Sequence, residues 1–288
     1  MMITTVLVVL NVLPGCGEQA TYLPGAVATQ AIINKGSDTM VNLALAWAEA
    51  YTGQYPEVRI SVTGGGSGTG IAALINGTVD IANASRAMKP EEVKRARANG
   101  IEPAEHIVAG DAIAVVVNPT NPVNALTIDQ LSDIFTGQIT NWREVGGEDR
   151  PIVLLSRESN SGTHIYFLEH VIRKGEKDNQ SLFSSDTLLM PSSEGISAEI
   201  RQNPNAIGYD GLGYVTPDQK TIAVARKAGE PYVPPSIETV KEGSYPIARV
   251  LYMYTSGQPT GVIREYLDWI TSAEGQKIVE ELGFVPLQ

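Results

Sequence analysis

An α/β protein of two domains is what the sequence predicts, and three observations predict it. Short strand-like runs alternate with helix-like stretches, the pattern of largely parallel sheets covered by helices. The 288 residues, 43% of them hydrophobic, exceed one average domain and can bury a sizeable core. At Ala31–Thr39, Ile60–Gly70 and Ile152–Thr163 an apolar run stops at a cluster of Gly, Ser and Thr, and a helical pattern begins directly afterwards.

The elements follow in order. Strand-like runs are expected at Ile32–Asn34, Arg59–Val62, Val79–Ala82, Ala112–Asn118 and Ile152–Leu155. Helical stretches are expected at Met40–Tyr51, Ile71–Asn76, Glu91–Asn99, Ile128–Phe135 and Ile165–Arg173, with two more around Val262–Thr271 and Ala273–Leu282. Met40, Leu43, Ala44, Trp47 and Ala48 fall on one helical face, with Asp38 or Thr39 able to cap it, and Asn99-Gly100 supplies a C-terminal stop. Glu230–Ser236 is a Pro-rich loop, and no repeat of fixed period occurs.

The three small-residue joints describe a pocket for an oxyanion. Small residues let backbone N–H groups approach a ligand closely, and hydroxyls add donors. A helix N-terminus leaves roughly four N–H groups without internal partners and carries about half a positive charge. Arg157, at the end of one strand, precedes Ser161-Gly162-Thr163, so guanidinium fork and helix start can clamp one anion from two directions. The formal net charge of −11 argues against nucleic acid or an anionic membrane surface as partner, so any anion must be held by local geometry.

The first residues point to export. MMITTVLVVLNVLPG carries no charge and contains the apolar run Val6–Leu10, too short to span a bilayer but suited to a secretory signal. Leu13-Pro14-Gly15-Cys16 resembles the lipobox of bacterial and archaeal lipoproteins, in which the cysteine is acylated. Cys16 is the only cysteine, so no internal disulfide can form. Residues 1–16 therefore read as a signal peptide with a lipobox, and 17–30, rich in Gly, Pro, Thr and Ala, as a flexible tether.

Catalytic and cofactor motifs are missing. The run Gly64–Gly70 lacks the lysine of a phosphate-binding P-loop and the acidic ribose partner of a dinucleotide fold. Ser161 lies near His164, but there is no G-x-S-x-G elbow or HExxH pair, and His106, His164 and His170 have no metal-ligand spacing. No enzyme, metal or cofactor is expected, although a secreted phosphate-ester hydrolase using Ser161 or Thr163 stays open as an alternative.

From about Ile33 to Pro286 the chain resembles the PstS-type phosphate-binding proteins of ABC phosphate transporters. The carriers are INKGSDTM, VTGGGSGTGI with VDIANASR, LTIDQLSDIFTGQITNW, SRESNSGTHIYF, AIGYDGLGYV, YPIARVLYMYTSG and YLDWITSAEGQKIVEELGFVPL. The resemblance implies a type II periplasmic-binding-protein clamp of two α/β domains, each a mostly parallel sheet flanked by helices, joined by two hinge crossings near Gly110–Ala112 and Ala248–Val250. Domain 1 would combine 31–111 with 250–288, and domain 2 would be 112–249. Matching motifs place phosphate against Ser37, Asp38, Thr39, Ser67, Arg157, Ser161, Gly162 and Thr163, with Gly66, Ser85 and Arg86 as secondary candidates. Where some members read Ala-Ser-Asp, this chain reads Ala84-Ser85-Arg86, which leaves Asp38 to accept the proton that phosphate has and sulfate lacks. The implied partners are phosphate and permease subunits, with a monomer outside the cytoplasmic membrane, lipid-anchored through Cys16. A carrier for sulfate, molybdate or tungstate, or a phosphate sensor, are the other readings.

Overall fold

The structure, a computed structural model, describes residues 30–287. The signal-like run, Cys16 and the tether up to Thr29 lie outside the described residues; Gln30, assigned to the tether, is already the first residue of a strand.

The first half opens with β1 (Gln30–Gly36), a 3-10 turn at Asp38–Met40, α1 (Val41–Gln54), β2 (Val58–Thr63), α2 (Ser67–Ile75), β3 (Ile81–Ala84) and α3 (Pro90–Ala98). β1 pairs in parallel with both β2 and β3. β4 (Pro103–Val117) then leads into the second half: β5 (Ala125–Thr127), α4 (Ile128–Phe135), β6 (Val153–Arg157), α5 (Gly162–Phe167) continuing as a π-turn over Leu168–Ile172, β7 (Leu188–Met190), α6 (Ser193–Gln202), β8 (Ala206–Gly211), β9 (Lys220–Ala225) and α7 (Ile237–Lys241). β10 (Ala248–Ser256), α8 (Gly261–Ile270) and α9 (Ala273–Glu281) return to the first half.

β4, at 15 residues the longest described strand, serves both halves. Its residues up to Ala112 pair with β10, while Ile113–Val117 pair with β8 and Val115–Val117 also with β9. The apolar core changes at the same place. Val108 and Ala109 pack with Ile32, Trp47, Leu251 and Tyr266, whereas Ala112 and Ile113 pack with Phe135, Phe167, Ile207 and Tyr245. The expected parallel pairing holds for β1–β3, for β6 with β7 and β8, and for β5 with β9; β4 and β10 are antiparallel to each other and to their other neighbours.

One contact closes the first half on its C-terminal return, and another ties the two halves together beyond these strands. Gly110 and Val285 exchange backbone hydrogen bonds of 2.7 and 2.9 Å. Tyr214, in the turn after β8, belongs to the first core and donates its hydroxyl to the Asp38 carbonyl. Gly213 lies against Phe284, where any Cβ would meet the ring at 2.5 Å, so this contact requires glycine.

The segment LTIDQLSDIFTGQITNW has a physical grammar. Thr127 and Gln130 form a capping box at the start of α4, and Asn141 and Glu144 form another at the turn Trp142–Val145. Leu131, Ile134 and Phe135 fill the second core, and the Trp142 indole N–H donates to the Asn205 carbonyl.

Candidate functional site

The three small-residue joints meet where the two halves face each other. From the first half come the turn Ser37–Met40 and the loop before α2; from the second come Arg157 at the end of β6 and the start of α5. Asn160 joins them directly, accepting from the Gly68 N–H through its carbonyl (3.0 Å) and donating its amide to the Gly65 carbonyl (2.9 Å). Gly66 is at φ 91°, and a Cβ there would lie 2.8 Å from the Asn160 carbonyl oxygen, so glycine is required by conformation and by space.

Hydroxyls are paired, once across the cleft and once within the first half, so that hydrogens remain to donate. Thr39 and Thr163 share a hydrogen bond of 2.7 Å, and the Arg249 Nη2 donates to Thr163 Oγ1 at 3.0 Å. Each hydroxyl has one hydrogen, so whichever threonine donates to the other, one hydrogen of the pair is left for a third atom. Ser67 and Ser85 repeat the arrangement at 3.2 Å, with the Ser85 N–H donating to Ser67 Oγ. Gly162 fits between them: a Cβ there would sit 2.4 Å from Ser67 Oγ and 2.5 Å from Ser85 Oγ. Ser37 is buried, and its hydroxyl has no hydrogen-bond partner among the described residues. The first N–H groups of α2 at Ser67 and of α5 at Gly162 have no partner inside their helices.

Asp38 does not cap the first helix. Neither Asp38 nor Thr39 stands at a cap position: Ser37 and Met40 do, without side-chain cap bonds. The Asp38 carboxylate instead crosses the cleft, where Oδ2 accepts from the Ser193 N–H at 2.9 Å and lies 3.0 Å from Arg157 Nη2. Arg157, 1% exposed, also donates to Ser193 Oγ (3.0 Å) and to the carbonyls of Pro191 (3.0 Å) and Met190 (3.3 Å). These contacts hold its fork in one orientation.

Arg86 points elsewhere. Its guanidinium makes a two-pronged pair with Glu92 at 2.7 and 2.8 Å and donates to the Ala87 carbonyl, while Glu92 also accepts from the Lys89 N–H at the start of α3. Burial raises the Glu92 carboxyl, but the Arg86 hydrogen bonds outweigh it and hold it below the usual carboxylate range. The residue standing where an acid was expected is therefore committed to a local ion pair.

Ser161 takes a supporting role. Its hydroxyl accepts from the Thr163 and His164 N–H groups and so caps α5. His164 reaches Ser156 rather than Ser161, with Nδ1 3.0 Å from the Ser156 hydroxyl, and burial lowers its pKa. Among the described residues no imidazole hydrogen-bonds the Ser161 hydroxyl.

Sequence reasoning missed four residues of this network: Asp111, Ser193, Asp210 and Arg249. Arg249 on β10 donates through Nε and Nη2 to Asp111 Oδ2 on β4 (3.0 and 2.8 Å), to the Ser85 carbonyl and to Thr163. Asp111 is fully buried; burial pushes its carboxyl up against the pull of Arg249. The signal was a lone charge in each of two apolar runs, Val108–Val117 and Ile247–Leu251. A cleft of about 460 Å³ lined by Met88, Tyr166, His170 and Tyr252 shares Arg86 and Arg249 with this region but none of Asp38, Thr39, Ser67, Arg157 or Thr163. The convergent hydroxyls and Arg157 lie outside that cleft.

A model of the PBP superfamily domain matches residues 24–274. The chain is 34% identical to the phosphate-binding protein PstS of Pseudomonas aeruginosa over 269 residues, covering 88% of this chain and 81% of that protein. It is 34% identical to the Bacillus subtilis phosphate-binding protein PstS over 261 residues, covering 90% and 82%. Among solved structures, a Clostridium perfringens protein assigned to a phosphate ABC transporter as its substrate-binding protein, with phosphate bound, superposes with a TM-score of 0.80 at 32% identity, covering 90% of this chain and 100% of that one. An ABC-type phosphate transport receptor from Vibrio cholerae gives 0.71 at 29%, covering 89% and 100%. With this likeness over nearly its whole described length, and with the two-domain clamp in place, the chain belongs to the PstS-type phosphate-binding proteins of the PBP superfamily.

Proposed function

We propose that the protein captures inorganic phosphate between its two halves and delivers it to the permease of an ABC transporter. The observation that carries this reading is the set of hydroxyl donors from both halves, Ser37, Thr39 and Ser67 facing Thr163, gathered beside a pre-oriented Arg157. Ser37, Asp38, Thr39, Ser67, Arg157, Gly162 and Thr163 are the binding residues of this reading. Ser161 and Gly66 shape the loops, Ser85 orients Ser67, and Arg86 stays with Glu92. Each charge-assisted hydrogen bond contributes about 1.5–3 kcal/mol in such a site.

Domain 1 is read as 31–111 plus 250–288 and domain 2 as 112–249, with hinge crossings where Asp111 and Arg249 pair in register. Contacts made only when the halves meet, such as Thr39 with Thr163, drive closure, and closure is what a permease reads. Export and an anchor at Cys16 complete the proposal; among the described residues no helix is long and apolar enough to cross a membrane. The relatives' names describe binding proteins, and Ser161 caps its helix, so a carrier is favoured over a hydrolase.

Selectivity falls to Asp38. Both of its protein contacts use Oδ2, leaving Oδ1 to accept a proton carried by the ligand. Asp38→Asn is expected to narrow the phosphate-to-sulfate affinity ratio by about tenfold to a hundredfold, the worth of one hydrogen bond to a charged group. Titration of both anions into wild type and variant checks this, and an unchanged ratio assigns the acceptor role to another group.

A further inference from the structure

Asp210, near the end of β8, is 1% exposed. Its Oδ1 accepts from the Ser193 hydroxyl and from the Gly211 N–H, each at 2.8 Å, and its Oδ2 has no partner among the described residues. Ser193 has one hydroxyl hydrogen. Because that hydrogen goes to Asp210, the oxygen's lone pairs face Arg157, whose Nη1 donates to it at 3.0 Å. The Ser193 N–H meanwhile donates to Asp38. One serine thus links two carboxylates to the guanidinium on which anion binding rests.

We propose that Asp210 is a positioning residue for the bound anion: through Ser193 it sets the orientation and the net positive charge that Arg157 presents to phosphate, so that phosphate and a proton on Asp210 bind together. This rests on the phosphate reading above. The charged and titratable groups around Asp210 are Arg157 from β6, Asp111 from β4 with its partner Arg249 from β10, Asp38 across the cleft, Tyr209 beside it on β8, and Tyr214 in the following turn. Burial is the largest influence on Asp210 and takes its carboxyl up to about 7, with Arg157 pulling down and Asp111 pushing up.

The sign follows directly. Ionised Asp210 adds a second carboxylate to Arg157 beside Asp38 and offsets the charge offered to the anion. A proton on Oδ2 removes that offset while leaving Oδ1 to accept from Ser193. Phosphate affinity therefore falls as pH rises through about 7 by more than the ligand's own titration accounts for, and phosphate binding in turn raises the Asp210 pKa by linkage.

The test is calorimetric titration of phosphate into wild type, Asp210→Asn and Ser193→Ala between about pH 6 and about pH 8, bracketing the raised carboxyl. The ligand titrates identically in all three, so the ratio of wild-type to Asp210→Asn affinity isolates the carboxyl. That ratio is expected to fall about fivefold across the window for one pKa unit of coupling, and proton uptake on binding near neutral pH should shrink in the variant. A purely structural role would weaken binding by the same factor at every pH; parallel profiles overturn the proposal. Should Asp210→Asn fail to fold, carbon NMR titration of the Asp210 carboxyl in wild type replaces it, with an upward shift on adding phosphate expected and no shift overturning it. Wild type that binds no phosphate at any pH overturns the phosphate reading, and this proposal with it.

Discussion

Arg157→Ala is expected to weaken phosphate binding by about 30-fold to 4,000-fold, from the roughly 2–5 kcal/mol lost when one partner of a buried, hydrogen-bonded charge pair is truncated. The residue is buried, and its removal strands the Asp38 carboxylate, the Ser193 hydroxyl and the carbonyls of Met190 and Pro191 together. The loss extends to the joint between β7 and α6, so some fold stability goes with it. Arg157→Lys separates the two contributions: a point charge survives there, but one ammonium cannot serve Asp38, Ser193 and two carbonyls in the fork geometry. Titration calorimetry on both variants, with thermal unfolding alongside, checks the expected order of wild type, lysine, alanine. Tight binding by a folded Arg157→Ala protein would remove this residue from the site.

Arg249→Ala is expected to cost about 3–5 kcal/mol of fold stability, because it leaves Asp111 buried without its cation. Arg249 also holds the Ser85 carbonyl and Thr163, so phosphate binding falls too. The pH dependence has a definite sign. A carboxyl whose folded pKa lies above its unfolded value binds protons more readily when folded, and stability is lost as pH rises through the folded pKa. Burial already raises Asp111 with Arg249 present, and removing the guanidinium raises it further. The variant should therefore recover part of its stability on acidification, whereas wild type with its pair intact recovers less. Adding Asp111→Asn should restore part of the loss at neutral pH. Urea unfolding at acidic and neutral pH measures this, and an Arg249→Ala protein as stable as wild type at neutral pH would show that the pair contributes nothing.

How much of this was legible in the sequence depends on how local the signal was. The strand-to-helix joints at Ser37–Thr39, Ser67 and Ser161–Thr163 announce themselves within a few residues, because small residues before an apolar period have a direct backbone meaning. The Asp111–Arg249 pair is not local. It exists only because two distant strands align with Arg249 opposite Asp111, and a single sequence shows each charge merely as an interruption of an apolar run. The length of β4 was hidden for the same reason: Pro103–Gly110 carries Pro, Glu and His, and becomes a strand by pairing with β10 rather than by propensity. Arg86 shows the reverse. Its partner Glu92 lies six residues away, yet the pair forms because α3 begins between them and turns that carboxylate back. Asp38 had two roles consistent with its position, cap or ligand acceptor, and only the placement of Ser193 and Arg157 across the cleft decides against the cap.

The measurement that bears most directly on phosphate capture is calorimetric titration of the protein with phosphate, sulfate, molybdate and tungstate after partial unfolding and dialysis to strip carried-over ligand. Tight one-to-one binding of phosphate, with the other three anions far weaker, is the predicted result. Preference for sulfate or a metal oxyanion, or no binding of phosphate by the refolded protein, would contradict it.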